Sequence, residues 1–200
     1  KFSYKHIDFH VGLNGNVTEM WRTGYMRNGR FPDNSQGNSE KKILPNFGTK
    51  AGITYKINGR NYLVLNGQYQ TVAPSIMEAF ISPTIRNDYV AGLKNEKDMS
   101  ADLTYIMNYP IVKLRVSAFY CKFKDVTDQF SFYHDDYGSF VNYAMTGIDK
   151  RNMGVEMGIE FKLGSMFTLA LAGTYGDYIY TNRPNVTITA DNGYDVLGNG

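Results

Sequence analysis

Apolar side chains recur at every second position along most of this chain. Ile7, Phe9, Val11 and Leu13 alternate with Asp8, His10 and Gly12. Ala51, Ile53, Tyr55 and Ile57 alternate with Gly52, Thr54 and Lys56, and Leu63, Leu65 and Tyr69 with Val64, Asn66 and Gln68. The pattern repeats at Ala101, Leu103, Tyr105 and Met107, then at Leu114, Val116, Ala118 and Tyr120. It returns at Val155, Met157, Ile159, Phe161 and Leu163, and at Phe167, Leu169, Leu171 and Tyr175. Side chains on a strand alternate between faces, so each run predicts a strand with one apolar and one polar face. None of these windows repeats at the helical spacing of three and four, and glycine interrupts most of them. A weaker stretch, Val17 to Tyr25, predicts an eighth strand whose outer face Glu19 spoils.

The connections between these strands alternate in length. Short turns are expected at Asn14-Gly15, Asn58-Gly59, Asn108-Tyr109-Pro110 and Gly164-Ser165, since Asn-Gly suits a two-residue turn with both central residues at positive φ. Long connections follow, over about residues 26–46, 72–98 and 125–150, and from Thr181 onward. Soluble sandwiches place turn signals at shorter and more even intervals. Alternating short and long connections, with strands of about 9–11 residues, are the pattern of an outer-membrane barrel. The predicted fold is therefore all-β: about eight antiparallel strands forming part of a transmembrane β-barrel, with short periplasmic turns and long extracellular loops. Asn66-Gly67 falls inside a strand, where a turn would leave fragments too short to span; it reads as a lumen-facing Asn beside a glycine bulge or a close packing point.

With the short turns in the periplasm, the strand over 1–13 runs inward and the strand over 167–180 runs outward. Both ends of the chain then fall on the loop side, whereas a complete exported barrel is expected to keep them in the periplasm. Residues 1–200 are expected to be one partial barrel domain with strands missing at both ends; the chain opens on strand-like alternation without a leader-like segment, as expected if a leader was removed or the chain is an internal piece.

Four elements carry a family resemblance. Thr71-Val72-Ala73-Pro74-Ser75-Ile76-Met77-Glu78-Ala79-Phe80 resembles the "R-A-P-x-x-x-E-x-F" element of TonB-dependent outer-membrane receptors. Leu93-Lys94-Asn95-Glu96-Lys97-Asp98 is similar to the "L-x-P-E-K-S" that follows, leading into a strand with an acidic residue, here Asp102. The stretch from Val116 to Asp125 resembles "L-x-x-F-Y-x-x-F-K-D", and that from Asn152 to Glu160 resembles "x-x-G-V-E-L-E". The motif positions are Ala73, Pro74, Glu78, Phe80, Glu96, Gly154 and Glu156. Thr71 and Asn95 depart from the usual Arg and Pro. The resemblance is greatest to the branch with a carboxypeptidase-regulatory-like domain ahead of the plug. It implies a plugged barrel of about 22 strands that imports a scarce nutrient with energy from the TonB complex. The implied partners are outer-membrane lipid, the protein's own plug domain, TonB through an N-terminal part, and a small-molecule or oligosaccharide ligand. The plug, the TonB-contacting motif and the closing strand lie outside these 200 residues, so this piece would contribute wall and ligand-facing loops. The alternative is a complete eight-stranded barrel acting as an anchor or adhesin.

Composition changes its meaning beside this pattern. Tyr (16), Phe (12) and Gly (20) are abundant in a chain only 42% hydrophobic, with a mean hydropathy of −0.38. A barrel needs only every second residue apolar, and Tyr55, Tyr69, Tyr105, Tyr120, Tyr175 and Trp21 suit the aromatic girdles at the membrane interfaces. The charge of +2 comes without a basic run, which removes the electrostatic footprint of a nucleic-acid binder. One cysteine, Cys121, excludes a disulfide framework.

The segment over 125–150 joins carboxylates to aromatics, a combination that suits a sugar, a cation-bearing ligand or a metal complex. Tyr133, His134, Asp135, Asp136 and Tyr137 are its candidate ligand contacts. Their aromatics equally suit loop packing. Three adjacent residues cannot all point to one side of a strand, so His134-Asp135-Asp136 is not assigned as a metal site. Glu156, Glu160, Lys162, Lys113 and Arg115 are expected to face the lumen, as plug contacts or as its polar lining. No catalytic residue is assigned: Ser75 and Ser131 lack a linked base, and nothing activates Cys121. No cofactor is expected, and the activity class is transport rather than catalysis.

Overall fold

The computed structural model describes residues 1–200, the side chain of Asn199 excepted. It is an all-β chain with twelve strands. In order these are β1 (Phe2–Tyr4), β2 (Ile7–Met20), β3 (Thr23–Gly24), β4 (Gly37–Asn38), β5 (Lys42–Lys56) and β6 (Asn61–Val72). After helix α1 (Ile76–Ala79) come β7 (Glu96–Asn108), β8 (Val112–His134), β9 (Ser139–Leu163), β10 (Phe167–Tyr180), β11 (Asn185–Ala190) and β12 (Val196–Asn199). Ten strands form one antiparallel sheet, and β3 pairs with β4 alone. The large sheet is open: β10 pairs only with β9, and β1 only with β2. No helix is long and apolar enough to cross a membrane, which says nothing of crossing by strands.

The seven long strands, β2 and β5 to β10, coincide with the seven alternating runs, but several boundaries differ. There is no turn at Asn14-Gly15. β2 runs straight through it, pairing with β5 from Ile7↔Tyr55 to Met20↔Lys42. A turn there would break that ladder, and Asn14 instead lays its side chain over Gly48, where a Cβ would come 2.2 Å from Asn14 Oδ1. Of the weak strand over 17–25, residues 17–20 are the upper end of β2, and Thr23 and Gly24 form β3. The first short turn is Lys5-His6, with Lys5 at a φ of 47°, so β2 runs away from the short-turn end, opposite to the direction expected. The Asn58-Gly59 turn exists but neither residue has positive φ. Asn58 Oδ1 closes it by accepting the backbone N–H groups of Arg60 and Asn61, both at 2.9 Å. Asn66-Gly67 sits in unbroken register, opposite Asp102 and Ala101, with no bulge.

The segment over 125–150 is a paired extension rather than a loop. β8 and β9 continue together to the tip at Asp135–Tyr137, with register shifts between Phe123 and Asp128. Asp125 takes a φ of 59° within that irregularity. The 25-residue β9 holds two partners on its other edge: β10 below and β11 above.

The register joins the alternating runs into two continuous faces. Phe9, Ile53, Leu65, Leu103 and Ala118 follow one another across the sheet, and so do Val116, Met157 and Gly173. The apolar face collects Leu13, Phe47, Leu65, Met99, Val155, Met157, Leu169 and Leu171, all exposed at 45% or more. Soluble monomers rarely expose contiguous apolar surface beyond a few hundred Å².

The buried core lies elsewhere, at the long-loop end on the polar side of the sheet. Met20 and Leu44 point there with Ala79, Phe80 and Leu93, and Ala73 and Tyr89 pack against them. Phe80 is fully buried and stacks on Tyr89 at 4.3 Å. The Tyr89 hydroxyl lies within hydrogen-bond distance of the carbonyls of Met20 (2.9 Å) and Glu40 (2.8 Å). Arg22 ties the two loops of this cap together. It donates to the carbonyls of Ser35 (2.9 Å), Pro83 (2.6 Å) and Thr84 (3.2 Å), and to the side chain of Asn87. Each of those acceptors would otherwise be a loop carbonyl or amide without a strand partner.

Truncating Phe80 to Ala removes the ring at the centre of this cluster. Loss of a buried phenyl costs about 3–5 kcal/mol locally. The expected outcome is protease cleavage within residues 73–95 at concentrations that leave the wild type intact, with the long strands still protected. Unchanged cleavage in the loop would contradict this packing.

Candidate functional site

The polar face and the cap above it gather the chain's hydrogen-bonding side chains. The centre of the face is a transverse row. Asp102 accepts both contacts from Asn66 Nδ2, at 3.0 and 3.3 Å, and a 3.4 Å bond from the Thr104 hydroxyl. Thr104, 1% exposed, meets Ser117 at 2.7 Å. Glu156 lies directly opposite Ser117 on the next strand. Ion pairs bracket the row: Lys56–Asp8 at 2.8 Å and Lys113–Glu160 at 3.0 Å. Glu156, Glu160, Lys113 and Arg115 therefore share one face, as the alternation predicts.

Glycines hollow this face. A Cβ on Gly52 would lie 2.2 Å from the His10 ring and 2.5 Å from Asn66 Oδ1, and one on Gly12 would lie 2.9 Å from the Lys50 side chain. Two adjoining depressions result. One, of about 210 Å³, is lined by His10, Lys50, Asn66, Gln68, Ser100 and Asp102. The other, of about 300 Å³, includes Gly12, Asn14, Gly48 and Gln70 in its wall. Their donors and acceptors can hydrogen-bond a polar ligand or a polypeptide segment.

The motif positions fall mainly where the cap is built. Ser75 and Glu78 form a reciprocal capping box: the Glu78 N–H donates to Ser75 Oγ (3.3 Å) and the Ser75 N–H to Glu78 Oε2 (3.0 Å). This stops the chain after Pro74 and turns Ala79 and Phe80 inward. Ser75 is thereby a helix cap. Glu96 opens β7 opposite Val72, and its partial burial pushes its carboxyl up from the ordinary range. Gly154 is a close-approach position: a Cβ would fall 2.4 Å from the Tyr175 carbonyl and 3.0 Å from the Phe119 ring. The Phe119 ring thus covers backbone that a side chain would otherwise hide.

Tyr133, His134, Asp135, Asp136 and Tyr137 stand at the tip of the β8–β9 extension, away from the depressions. His134 meets Tyr137 edge-on at 5.0 Å, and Tyr133 meets Phe140 at 5.7 Å. His134 Nδ1 lies 3.9 Å from Asp136 Oδ2, and among the described residues no three His, Cys, Asp or Glu side chains gather as a metal-binding set. Gly138, at a φ of 55°, closes the tip.

Asp125 is the electrostatic centre of the long-loop rim. It accepts from Lys97 (2.7 Å) and Lys94 (2.9 Å). The hydrogen bond from Lys97, more than that from Lys94, holds its carboxyl below the ordinary carboxylate range. Sequence reasoning left Asp125 among several loop carboxylates, because its pairing depends on the fold bringing residues 94–97 alongside. It likewise missed Arg22, whose partners lie up to 65 residues away.

Comparisons with protein-family models, with curated proteins and with solved structures return no match.

Two outcomes follow for these residues. Gly154→Val forces Phe119 or the facing strand to move and is expected to lower stability by about 1–3 kcal/mol, read as a shift of the denaturant midpoint. For Asp125, the depressed folded-state value means its contribution is present above the ordinary carboxylate range near 3.8 and fades as pH falls through the lower folded value. Asp125→Asn should therefore weaken the rim at neutral pH yet match the wild type in strong acid, measured as protease susceptibility of residues 93–97 against pH.

Proposed function

We propose that this chain is part of the wall of an outer-membrane β-barrel, and that the barrel is a TonB-dependent receptor taking up a scarce nutrient. The carrying observation is the pair of faces. Seven adjoining strands put nearly all their large exposed apolar side chains on one side and, below the long-loop rim, their ion pairs and amide contacts on the other. A soluble protein would cover such a surface; a bilayer covers it without further protein. The aromatic positions support the same reading. Tyr55 and Tyr105 stand on the apolar face near the short turns, and Tyr69, Tyr120 and Tyr175 near its other border.

On this reading the polar face lines the lumen, where His10, Lys50, Asn66 and Asp102 would meet a plug or a solute, and the cap narrows the outer mouth. The TonB-dependent assignment is the finer step and rests on the four ordered motif elements, from Ala73 to Glu156. Their capping box and glycine contact give those residue types physical work in this chain. The role is uptake rather than catalysis. The open sheet favours a longer wall over a closed eight-stranded anchor, since β10 and β1 remain unpaired with each other.

Single cysteines at consecutive positions of β9, from Val155→Cys to Glu160→Cys, carry spin labels that report the surroundings. In the membrane-inserted protein, labels at 155, 157 and 159 should be accessible to oxygen, and those at 156, 158 and 160 to a water-soluble relaxant. Uniform water accessibility would reject the membrane reading. Alternation together with undiminished uptake in a strain lacking TonB would reject only the TonB assignment.

A further inference from the structure

The apolar face ends, toward the long loops, in a band of cations. Lys97, Lys122, Lys124 and Arg151 all project from that face, just beyond Met99, Tyr120 and Met153. The register sets them in two like-charged pairs. Lys97 stands directly opposite Lys124, and Lys122 directly opposite Arg151. Like charges facing each other across an antiparallel pair are destabilising, and two such pairs on adjacent strands compound the cost.

Neighbouring acids answer only part of it. Asp125 binds Lys97 and Lys94, and Asp177 binds Arg151 at 3.0 Å. Asp149 stays close by, its carboxylate accepting the Asp125 N–H at 3.2 Å. Lys122 and Lys124 make no ion pair among the described residues; Lys122 lies in the row of Met99, next to the apolar band, and Lys124 in the outer row beside Lys97. At the short-turn end Lys56 points to the polar face and pairs with Asp8.

We infer that Lys122 and Lys124, supported by Lys97 and Arg151, bind the phosphorylated headgroup of an outer-leaflet lipid whose acyl chains lie on the apolar face below. This inference rests on the membrane reading above and names a partner for one border of that surface. Charge complementarity selects the headgroup: an anion between the opposed pairs removes their repulsion, and Tyr120 and Met99 beneath them offer apolar contact to the first acyl carbons. Lysine stems also lie along apolar surface while their ammonium groups reach the headgroup level.

The test uses the whole protein in phosphatidylcholine vesicles with and without lipid A, and measures lipid A retained after detergent extraction. Lys122→Gln with Lys124→Gln should lower lipid A affinity roughly tenfold to thirtyfold, from the attraction two basic residues supply at a membrane surface. Lys162→Gln, a cation on the polar face, should leave it unchanged. Raised salt should weaken wild-type binding and barely affect the double variant. Equal retention by wild type and double variant overturns the inference, as does inorganic pyrophosphate displacing lipid A with equal potency, which would make the site one for free phosphate. Failure to insert even into phosphatidylcholine alone would remove the membrane reading itself, whereas normal insertion without preference for lipid A removes only the headgroup.

Discussion

The backbone ladder is the constraint from which the rest follows. Each strand satisfies its N–H and C=O groups on its neighbours, so the side chains are free to differ completely between the two sides of a single layer. An ordinary two-layer domain must bury its apolar sheet face against a second element. Among the described residues no second layer lies on that face, and the buried cluster around Phe80 sits at one end, between the loops and the ends of β2 and β5. The arrangement is workable where the surrounding medium replaces the missing layer. Closure would then be the way to satisfy the remaining edges.

The cap shows how long connections become structure without regular elements. Phe80 and Tyr89 provide a small apolar centre, while Arg22 gathers carbonyls from two loops separated by more than forty residues. One guanidinium supplies several donors in a fixed plane, so it suits carbonyls that no strand reaches. Phe31 extends the same packing: its ring, fully buried, lies 4.9 Å from the Arg86 guanidinium and 4.6 Å from the Tyr194 ring. The long-loop end is therefore a defined surface rather than a set of independent tethers.

Much of the sheet could be read from the sequence, because period-two alternation is a local signal. Runs such as Leu114 to Tyr120 declare both their conformation and their faces. The failures share one cause: signals judged locally were decided by partners far away. Asn14-Gly15 is a good turn dipeptide, but fourteen paired residues with β5 outweigh it. The segment over 125–150 is rich in polar residues, yet each half pairs with the other. Of the candidate sites, the Ser75–Glu78 box was written in the spacing Ser-x-x-Glu and could have been recognised. The hollows beside Gly52 and Gly48 could not, since each depends on which side chain a neighbouring strand lays over the glycine.

The two partners of β9 carry a consequence for alignment. A strand paired along one neighbour can slip by two residues and keep its faces, losing only the end contacts. β9 would have to misalign fourteen pairs with β10, six with β11 and its irregular junction with β8 at once. Such a strand acts as a keyed shaft. It fixes the vertical offset between the wall below and the projecting hairpin above, so the height of the tip at Asp135–Tyr137 is set by the same pairings that align the polar rows.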